Sequence, residues 1–294
     1  MLLLAAAAVA GIAASFLYAF GRRALLSLTT AIAVIVVFLL QYVDTLLRQG
    51  DVLSLALLHL PWPVPYTSPP WTVFTSMYLH AGLAHLALNV AGLVLLTPML
   101  EERIGTIRFA VLYVVTGLLA TLGFLVLRWD APFLLLGASG ALSGVLGAFA
   151  RLYPRERLRL WVVFLPLPPL PVFVLAFGFV VLSSLFGLGG VMGAIAWEAH
   201  VIGLLAGFVL APAVMRLPAK GRQPAPLDPS ALEPLAVTPE LKDLLETIRR
   251  ETMPEVRGAW VDRFLARARC PRCSEPISRR GRTLSSPCGW RARL

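Results

Sequence analysis

The sequence has little charge. Only 14% of its 294 residues are Asp, Glu, Lys or Arg, whereas 58% are hydrophobic, and the mean hydropathy is +0.78. Ordinary globular domains carry about 25% charged residues. A soluble protein of this size could not bury so much apolar surface, and a disordered chain would not contain it. The scarcity of charge therefore excludes both classes and indicates a polytopic membrane protein.

Cysteine is absent from most of the chain. All three cysteines lie beyond residue 269, so no disulfide framework supports the rest. Charge is also uneven, because residues 1–215 contain 10 Lys/Arg and 7 Asp/Glu, whereas residues 216–294 contain 16 and 9. The chain therefore divides into a nearly neutral membrane part and a basic polar tail.

Long apolar runs predict seven membrane-spanning helices, since each span needs roughly 20 mostly apolar residues. They cover approximately residues 2–20, 24–43, 80–99, 107–127, 134–151, 168–187 and 197–215. Lys and Arg cluster after the first, fifth and seventh spans, and the positive-inside rule places these loops and the tail in the cytoplasm. We expect a multi-pass protein of the cell membrane that retains its first helix.

Two proline-rich stretches interrupt the apolar pattern. The stretch from 44 to 79 contains five prolines and cannot span, so we expect it on or in the outer leaflet. His59 within it is expected to be satisfied by headgroups or water. The run L-P-L-P-P-L-P (165–171) predicts broken helicity at the cytoplasmic entrance of the sixth span.

Acidic residues are missing from the middle of every predicted span, which argues against a transporter. Polar residues instead open three spans: His80, His85 and Asn89 the third, Ser139 the fifth and His200 the seventh. These helices all run from the outside inwards, so the five residues fall at one shallow depth. A Gly- and Ser-rich stretch alone is usually a packing surface. A serine, a base and spare donors at one depth indicate nucleophilic catalysis.

The chemistry assigns a role to each of these groups. Ser139 needs a base, and His200 is the candidate. The backbone N–H of Ser139, the imidazole of His85 and the amide of Asn89 are candidate donors to an oxyanion. No carboxylate is placed to orient His200, so the sequence predicts a Ser–His dyad. Glycines would let the two catalytic helices approach closely, namely Gly137, Gly140, Gly144, Gly147, Gly203 and Gly207.

Three motifs in this order resemble the rhomboid family of intramembrane serine proteases. H-A-G-L-A-H-L-A-L-N (80–89) is similar to the family's H-x4-H-x3-N, G-A-S-G (137–140) to its G-x-S-G, and A-H-V-I-G-L-L-A-G (199–207) to its A-H-x2-G-x3-G. Glu101, Arg103 and Gly105 resemble its E-x-R-x-G run. The resemblance covers roughly residues 24–215.

The resemblance implies an all-α fold with a six-helix core at 24–215, preceded by one extra transmembrane helix at 1–23. It implies a serine endopeptidase that cleaves transmembrane proteins in the bilayer through an acyl-enzyme, near the outer face and without a cofactor. Ser139 would be the nucleophile and His200 the general base, with His85 and Asn89 stabilising the oxyanion. The position of His80 usually has a structural, water-binding role.

Two positions depart from the family pattern, and one alternative function stays open. Thr72 follows Trp71 where the family has Arg, and Ser143 stands where a Tyr often packs on the catalytic histidine. The alternative is a catalytically silent rhomboid-like protein that binds or escorts membrane proteins, which would have no use for the intact polar set. The sequence specifies neither the substrate nor the oligomeric state.

The tail is predicted to consist of a Pro-rich linker (216–238) and a basic cytoplasmic segment (239–294). Thr238-Pro239 predicts a helix start, and a second short helix follows Pro254. We expect the basic side chains to be solvated near an anionic inner leaflet, and nucleic acid is not the expected partner.

The tail cysteines resemble part of a zinc ribbon. Cys270-Pro-Arg-Cys273 is similar to its first pair, and the second pair is represented by Ser285-Ser-Pro-Cys288. One interpretation is a three-thiolate zinc site formed by Cys270, Cys273 and Cys288. The sequence alone favours the other, a degenerate ribbon held by its own small core.

Overall fold

The structure, a computed structural model, has two compact units, Met1–Gln223 and Pro224–Leu294. It describes residues 2–61, 63–64, 66–158, 161–162, 165–166, 168–189, 196–218, 228–251, 254–281 and 283–294. The division between the units falls within the segment expected to be a linker. Residues 219–227, in the middle of that segment, lie outside the described residues.

Helices dominate the first unit. They are α1 (Leu3–Arg22), α2 (Leu26–Leu47), α3 (Thr72–Thr75), α4 (Leu83–Ala91), α5 (Thr97–Ile104), α6 (Thr106–Leu127), α7 (Ser139–Leu152), α8 (Val172–Leu188) and α9 (Trp197–Val214). A π-helical turn, Gly92–Leu96, joins α4 and α5 into one span. Short 3₁₀ turns lie at Leu53–Leu55 and Ser76–Tyr78.

The helical, polytopic fold expected from the sequence is confirmed, but two helices are shorter than predicted. Among the described residues, α1, α2, the α4–α5 span, α6 and α9 are long and apolar enough to cross a membrane. Helices α7 and α8 have 14 and 17 residues. The prediction of a helix from residue 134 is wrong, because residues 133–135 pair as a strand and α7 begins at Ser139.

Short strands form the loops of the first unit. They are β1 (Leu57–His59), β2 (Phe133–Leu135), β3 (Arg157–Leu158), β4 (Trp161–Val162), β5 (Leu165–Pro166) and β6 (Leu170–Pro171). Three antiparallel pairs result, β1 with β2, β3 with β6 and β4 with β5. The described part of the proline-rich run is extended, and α8 begins only after Pro171, because proline has no N–H to donate within a helix.

The extra helix α1 packs on α2 through small side chains. Its buried residues recur at alternating spacings of three and four, which places them on one face: Ala5, Ala8, Ile12, Ser15 and Ala19. Small residues let two helix backbones approach in a membrane, where van der Waals packing replaces the hydrophobic effect. Helix α1 is therefore an integral part of the membrane unit.

The E-x-R run joins distant elements. The Glu101 carboxylate accepts hydrogen bonds from the backbone N–H groups of Leu26 and Ser27, at 2.7 and 2.8 Å. It satisfies donors that the first turn of α2 cannot pair internally. Arg103 forms an ion pair with Glu156 at 3.0 Å and lies over the Tyr153 ring. The run thus fixes α5 to α2 and to the segment after α7.

The loop before α4, which follows α2 and contains β1, is attached to the segment between α6 and α7, which contains β2. Strands β1 and β2 pair, and His59 at the end of β1 is fully buried. Its Nε2 lies 2.8 Å from the carbonyl oxygen of Trp129, and its ring stacks on Phe133 with centroids 4.9 Å apart. The expectation that headgroups or water satisfy His59 is wrong, because the strand pairing buries the side chain inside the protein.

The second unit combines helices with a small sheet. It contains a 3₁₀ helix (Pro229–Leu235), α10 (Pro239–Arg250), α11 (Pro254–Leu265) and the antiparallel strands β7 (Ser278–Arg280), β8 (Thr283–Ser285) and β9 (Arg291–Arg293). The Thr238 hydroxyl caps α10 by accepting from the Leu241 N–H at 3.3 Å. Leu232 and Leu235, from the segment expected to be a linker, pack in the core of this unit with Phe264.

Candidate active site

Ser139 is the first residue of a helix that is too short to cross the bilayer. With 14 residues, α7 rises about 21 Å, whereas the hydrocarbon layer is roughly 30 Å thick. Arg151 near the other end of α7 favours a position at a membrane surface. A helix of this length with one end at a membrane surface would therefore end within the depth of the bilayer.

Ser139 and His200 form a direct side-chain contact. His200 Nε2 lies 2.8 Å from Ser139 Oγ, although the two residues are 61 positions apart in sequence. His200 lies in the first turns of α9 and is 7% exposed. Its Nδ1 has no hydrogen-bond partner among the described residues. The nearby carboxylate of Glu198 forms an ion pair with Arg128 instead.

Glycines allow α7 and α9 to touch backbone to backbone. A Cβ atom on Gly203 would lie 2.2 Å from the carbonyl oxygen of Gly140, and one on Gly207 would lie 1.8 Å from that of Gly144. Both distances are far inside van der Waals contact, so no side chain fits at either position. The glycines predicted to support the site thus bring the Ser139 and His200 helices together.

His85 lies against the backbone that leads into Ser139. A Cβ atom on Gly137 would be 2.7 Å from His85 Nε2, and Gly137 has a φ of +120°, a conformation that favours glycine. The Ala81 N–H donates to His85 Nδ1 at 3.4 Å. Because Nδ1 accepts, the neutral ring carries its proton on Nε2. The His85 ring therefore presents an N–H beside Gly137, two residues before Ser139.

Asn89 follows His85 by one helical turn on the same face of α4. Its side chain is 3% exposed, and its Nδ2 donates to the His85 carbonyl oxygen at 2.9 Å. That bond uses one of the two N–H groups of the amide. The amide has a second N–H that this bond does not use.

His80 is fully buried beside this pair. Its ring lies 5.0 Å from that of His85, and neither of its nitrogens has a partner among the described residues. The side chain of Gln41 in α2 forms two hydrogen bonds with the backbone of His80. Its Nε2 donates to the carbonyl oxygen at 3.0 Å, and its Oε1 accepts from the N–H at 3.3 Å. The sequence analysis missed Gln41, although an amide at the end of an apolar span was a usable signal.

Ser143 stands where the family often has a Tyr that packs on the catalytic histidine, and in this chain His200 has an aromatic neighbour from another helix. Ser143 is fully buried, and its hydroxyl donates to the Ser139 carbonyl oxygen at 2.7 Å, within α7. The ring of Phe179, from α8, lies with its centroid 5.3 Å from that of His200. An aromatic ring therefore still packs on the histidine, but it comes from another helix. Nothing in the apolar sequence of α8 distinguished Phe179.

Thr72 stands where the family has Arg, and its side chain bonds to the backbone of the loop before α4. Thr72 is fully buried, and its hydroxyl donates to the Pro69 carbonyl oxygen at 2.6 Å. The Tyr66 hydroxyl donates to the same oxygen at 2.9 Å. Trp71, its neighbour, is 61% exposed. The loop is thus fastened internally at the position of Thr72.

The three cysteines that the sequence suggests as metal ligands lie in the second unit. The sulfur atoms of Cys270, Cys273 and Cys288 all lie within 4.8 Å of one another. They are the only group of three or more His, Cys, Asp or Glu side chains with metal-ligand spacing in the described parts of the chain.

Comparison with known proteins identifies relatives of the membrane unit. The Rhomboid domain model matches residues 68–217. The chain is similar to RHOMBOID-like protein 6, mitochondrial, of Arabidopsis thaliana, at 31% identity over 155 residues, covering 51% of this chain and 46% of that protein. Rhomboid protease GluP of Bacillus subtilis is 29% identical over 154 residues, covering 51% and 27%. Inactive RHOMBOID-like protein 8 of Arabidopsis thaliana is 31% identical over 83 residues, covering 28% and 24%.

The chain spans less than half the length of each of these three relatives. Their names include both a protease and an inactive protein, so similarity alone does not assign activity. The matched domain nevertheless covers half of the chain and contains the segments of α4, α7 and α9 described above. This helical membrane protein therefore belongs to the rhomboid family.

Proposed function

We propose that this rhomboid-family protein is an intramembrane serine endopeptidase that hydrolyses peptide bonds in or near transmembrane segments. The observation that carries the proposal is the 2.8 Å contact between Nε2 of the buried His200 and Oγ of the half-buried Ser139. A general base must lie within about 2.6–3.2 Å of the group that it deprotonates. Ser139 and His200 meet this requirement without any movement.

The reaction would proceed through an acyl-enzyme. His200 Nε2 takes the hydroxyl proton as Ser139 Oγ attacks the carbonyl carbon of the scissile bond. His200 then gives this proton to the leaving amine as the C–N bond breaks. Water attacks the ester with His200 again as base, which releases the new carboxyl terminus and restores Ser139. Every group in these steps is protein or water, so the proposed reaction uses no cofactor.

The negative charge on the tetrahedral intermediate would be stabilised by three donors. They are the backbone N–H of Ser139, the Nε2–H of His85 and the free amide N–H of Asn89. Donors fixed before the reaction stabilise a developing oxyanion strongly in a site from which bulk water is excluded. The Nδ1 contact of His85 supports this role, because it leaves the proton on the nitrogen next to Gly137.

We propose that the site opens towards the extracytoplasmic face and that the tail is cytoplasmic, as the distribution of Lys and Arg favours. The substrates would be transmembrane proteins in the same bilayer. A peptide bond inside a helix has its backbone groups paired and screened, so a substrate must unwind near Ser139 before cleavage. Helices that unwind easily, with small residues at the cut, would be preferred.

The second candidate is a catalytically silent protein that binds or escorts membrane proteins. One relative is named as inactive, and the aromatic support of His200 differs from the family pattern. Cleavage of a model single-span substrate by the full chain in liposomes separates the two candidates. Wild type should cleave, whereas Ser139→Ala and His200→Ala should each lose activity by about 10³-fold or more.

Two controls make this experiment decisive. Ser15→Ala removes a buried hydroxyl of α1 that bonds only to its own helix, and it should leave cleavage unchanged. A fluorophosphonate probe should label Ser139, as located by mass spectrometry. Cleavage that persists in Ser139→Ala would disprove the nucleophile. Absence of both cleavage and labelling, in protein that binds the substrate, would establish the silent candidate.

A further inference from the structure

The three tail sulfurs have the spacing of ligands around one ion. Cys270 Sγ lies 3.6 Å from Cys288 Sγ, and Cys273 Sγ is within 4.8 Å of both. Zinc–sulfur bonds of about 2.3 Å at tetrahedral angles separate two sulfurs by about 3.8 Å. A disulfide would bring them to about 2.05 Å. The separation of Cys270 Sγ and Cys288 Sγ therefore matches that of two ligands of one ion.

Ser286 lies beside two of these sulfurs. Its Oγ is 3.1 Å from Cys273 Sγ and 3.8 Å from Cys288 Sγ. An oxygen ligand of zinc, bound at about 2.1 Å, would lie about 3.5 Å from each sulfur. The ribbon-like spacing instead points to Ser285, but the hydroxyl of Ser285 bonds to that of Ser278, at 3.0 Å. The geometry thus selects Ser286.

Both turns that carry the cysteines are closed by backbone hydrogen bonds. In the first turn, the Ser274 N–H donates to the Cys270 carbonyl oxygen at 2.9 Å, and the Arg272 N–H donates to Cys270 Sγ at 3.5 Å. Hydrogen bonds of this kind stabilise a thiolate. In the second turn, Gly289, with a φ of +82°, donates to the Ser286 carbonyl oxygen at 3.0 Å. The ligands are therefore positioned by the fold itself.

We propose that Cys270, Cys273 and Cys288 bind one Zn²⁺ as thiolates and that the Ser286 oxygen occupies the fourth position. Sulfur ligands in a tetrahedron suit zinc, whereas magnesium and calcium require oxygen ligands. Binding releases one proton from each thiol, which leaves a complex of charge −1 in a strongly basic tail. This geometry favours the metal site over the degenerate ribbon that the sequence alone favoured.

Metal analysis of the full chain tests the proposal directly. Protein purified without a histidine tag under reducing conditions should contain one zinc per chain by mass spectrometry. Co²⁺ exchanged into the site should give the intense visible bands of tetrahedral thiolate coordination. Cys288→Ser should lose both signals, whereas Ser139→Ala, altered only in the membrane unit, should keep them. A wild-type protein that stays zinc-free after incubation with Zn²⁺ and gives no cobalt bands would overturn the proposal.

A pair of serine variants tests the fourth position and does not depend on a loss of folding. Ser286→Cys completes a four-thiolate site and should bind zinc at least about tenfold tighter in competition with a chelating indicator. Ser285→Cys is the matched control and should bind zinc as wild type does. Tighter binding by Ser285→Cys but not by Ser286→Cys would disprove the assignment of Ser286.

Discussion

Helices α8 and α9 both contact the candidate catalytic residues, but α9 packs closely against α7 whereas α8 buries few side chains. Helix α9 carries His200 and meets α7 backbone to backbone at glycines. Helix α8 contacts His200 through Phe179 and buries only Val172, Ala176 and Ser183 among its residues. The Ser139–His200 contact is therefore fixed on one side by a close contact between helices and bounded on the other by a helix that buries few side chains.

The largest expected effect comes from breaking the rigid contact. Gly207→Ala would put a Cβ atom 1.8 Å from the Gly144 carbonyl oxygen, so α9 must move away from α7. Overpacking of this kind costs about 1–3 kcal/mol in stability. A displacement of about 1 Å in a catalytic group can cost about 10²-fold in rate. We expect a loss of that size in the cleavage assay and a lower midpoint of thermal unfolding.

The chain offers a matched control for this substitution in α8. A Cβ atom added at Gly178 would meet nothing within 4 Å. Gly178→Ala should therefore leave both cleavage and thermal unfolding close to wild type. Equal effects of the two substitutions would contradict the distinction between α9, which packs closely on α7, and α8, which buries few side chains.

A smaller effect is expected from removing the aromatic contact. Phe179→Ala deletes the ring that lies 5.3 Å from the His200 ring, so the imidazole gains freedom without losing its bond to Ser139. Aromatic pairs contribute about 0.5–1.5 kcal/mol, so kcat should fall by roughly 2- to 12-fold. Phe173→Ala, which alters an exposed ring of α8 that packs on Phe177, is the control. If the Phe173 variant lost as much activity as the Phe179 variant, the contact with His200 would not be the cause.

The smallest effect is expected at Ser143. Ser143→Ala removes a hydroxyl that bonds only to a carbonyl of its own helix, and that carbonyl also belongs to the helical ladder. Cleavage should change by less than about twofold, and the thermal midpoint should be nearly unchanged. A tenfold loss would mean that Ser143 supports His200 in a way that its contacts do not reveal.

Local patterns in the sequence were sufficient for the class of fold and for most candidate residues. Apolar runs located the helices, and the polar residues that open them identified Ser139, His85, Asn89 and His200. The contact between Ser139 and His200 followed from topology, because helices that run in one direction place their first residues at one depth. Close approach was readable from glycines at helical spacing.

Contacts between segments that are distant in the sequence could not be predicted from such local patterns. The pairing of β1 with β2 involves three residues in each strand, all apolar except His59, and no periodicity distinguishes so short a run from a helix start. It shortened α7 and buried His59, and both expectations failed for that reason. The roles of Gln41 and Phe179 also depend on neighbours that the sequence does not name.

The pairing of β1 with β2 also couples the position of the loop before α4 to that of Ser139. Leu57 pairs with Leu135, only four residues before Ser139, and the Gly137 N–H bonds to the Ser76 carbonyl oxygen at 2.8 Å. The strand that leads into α7 is thus attached to this loop at two points. A movement of the loop would therefore reach Ser139 through only a few residues.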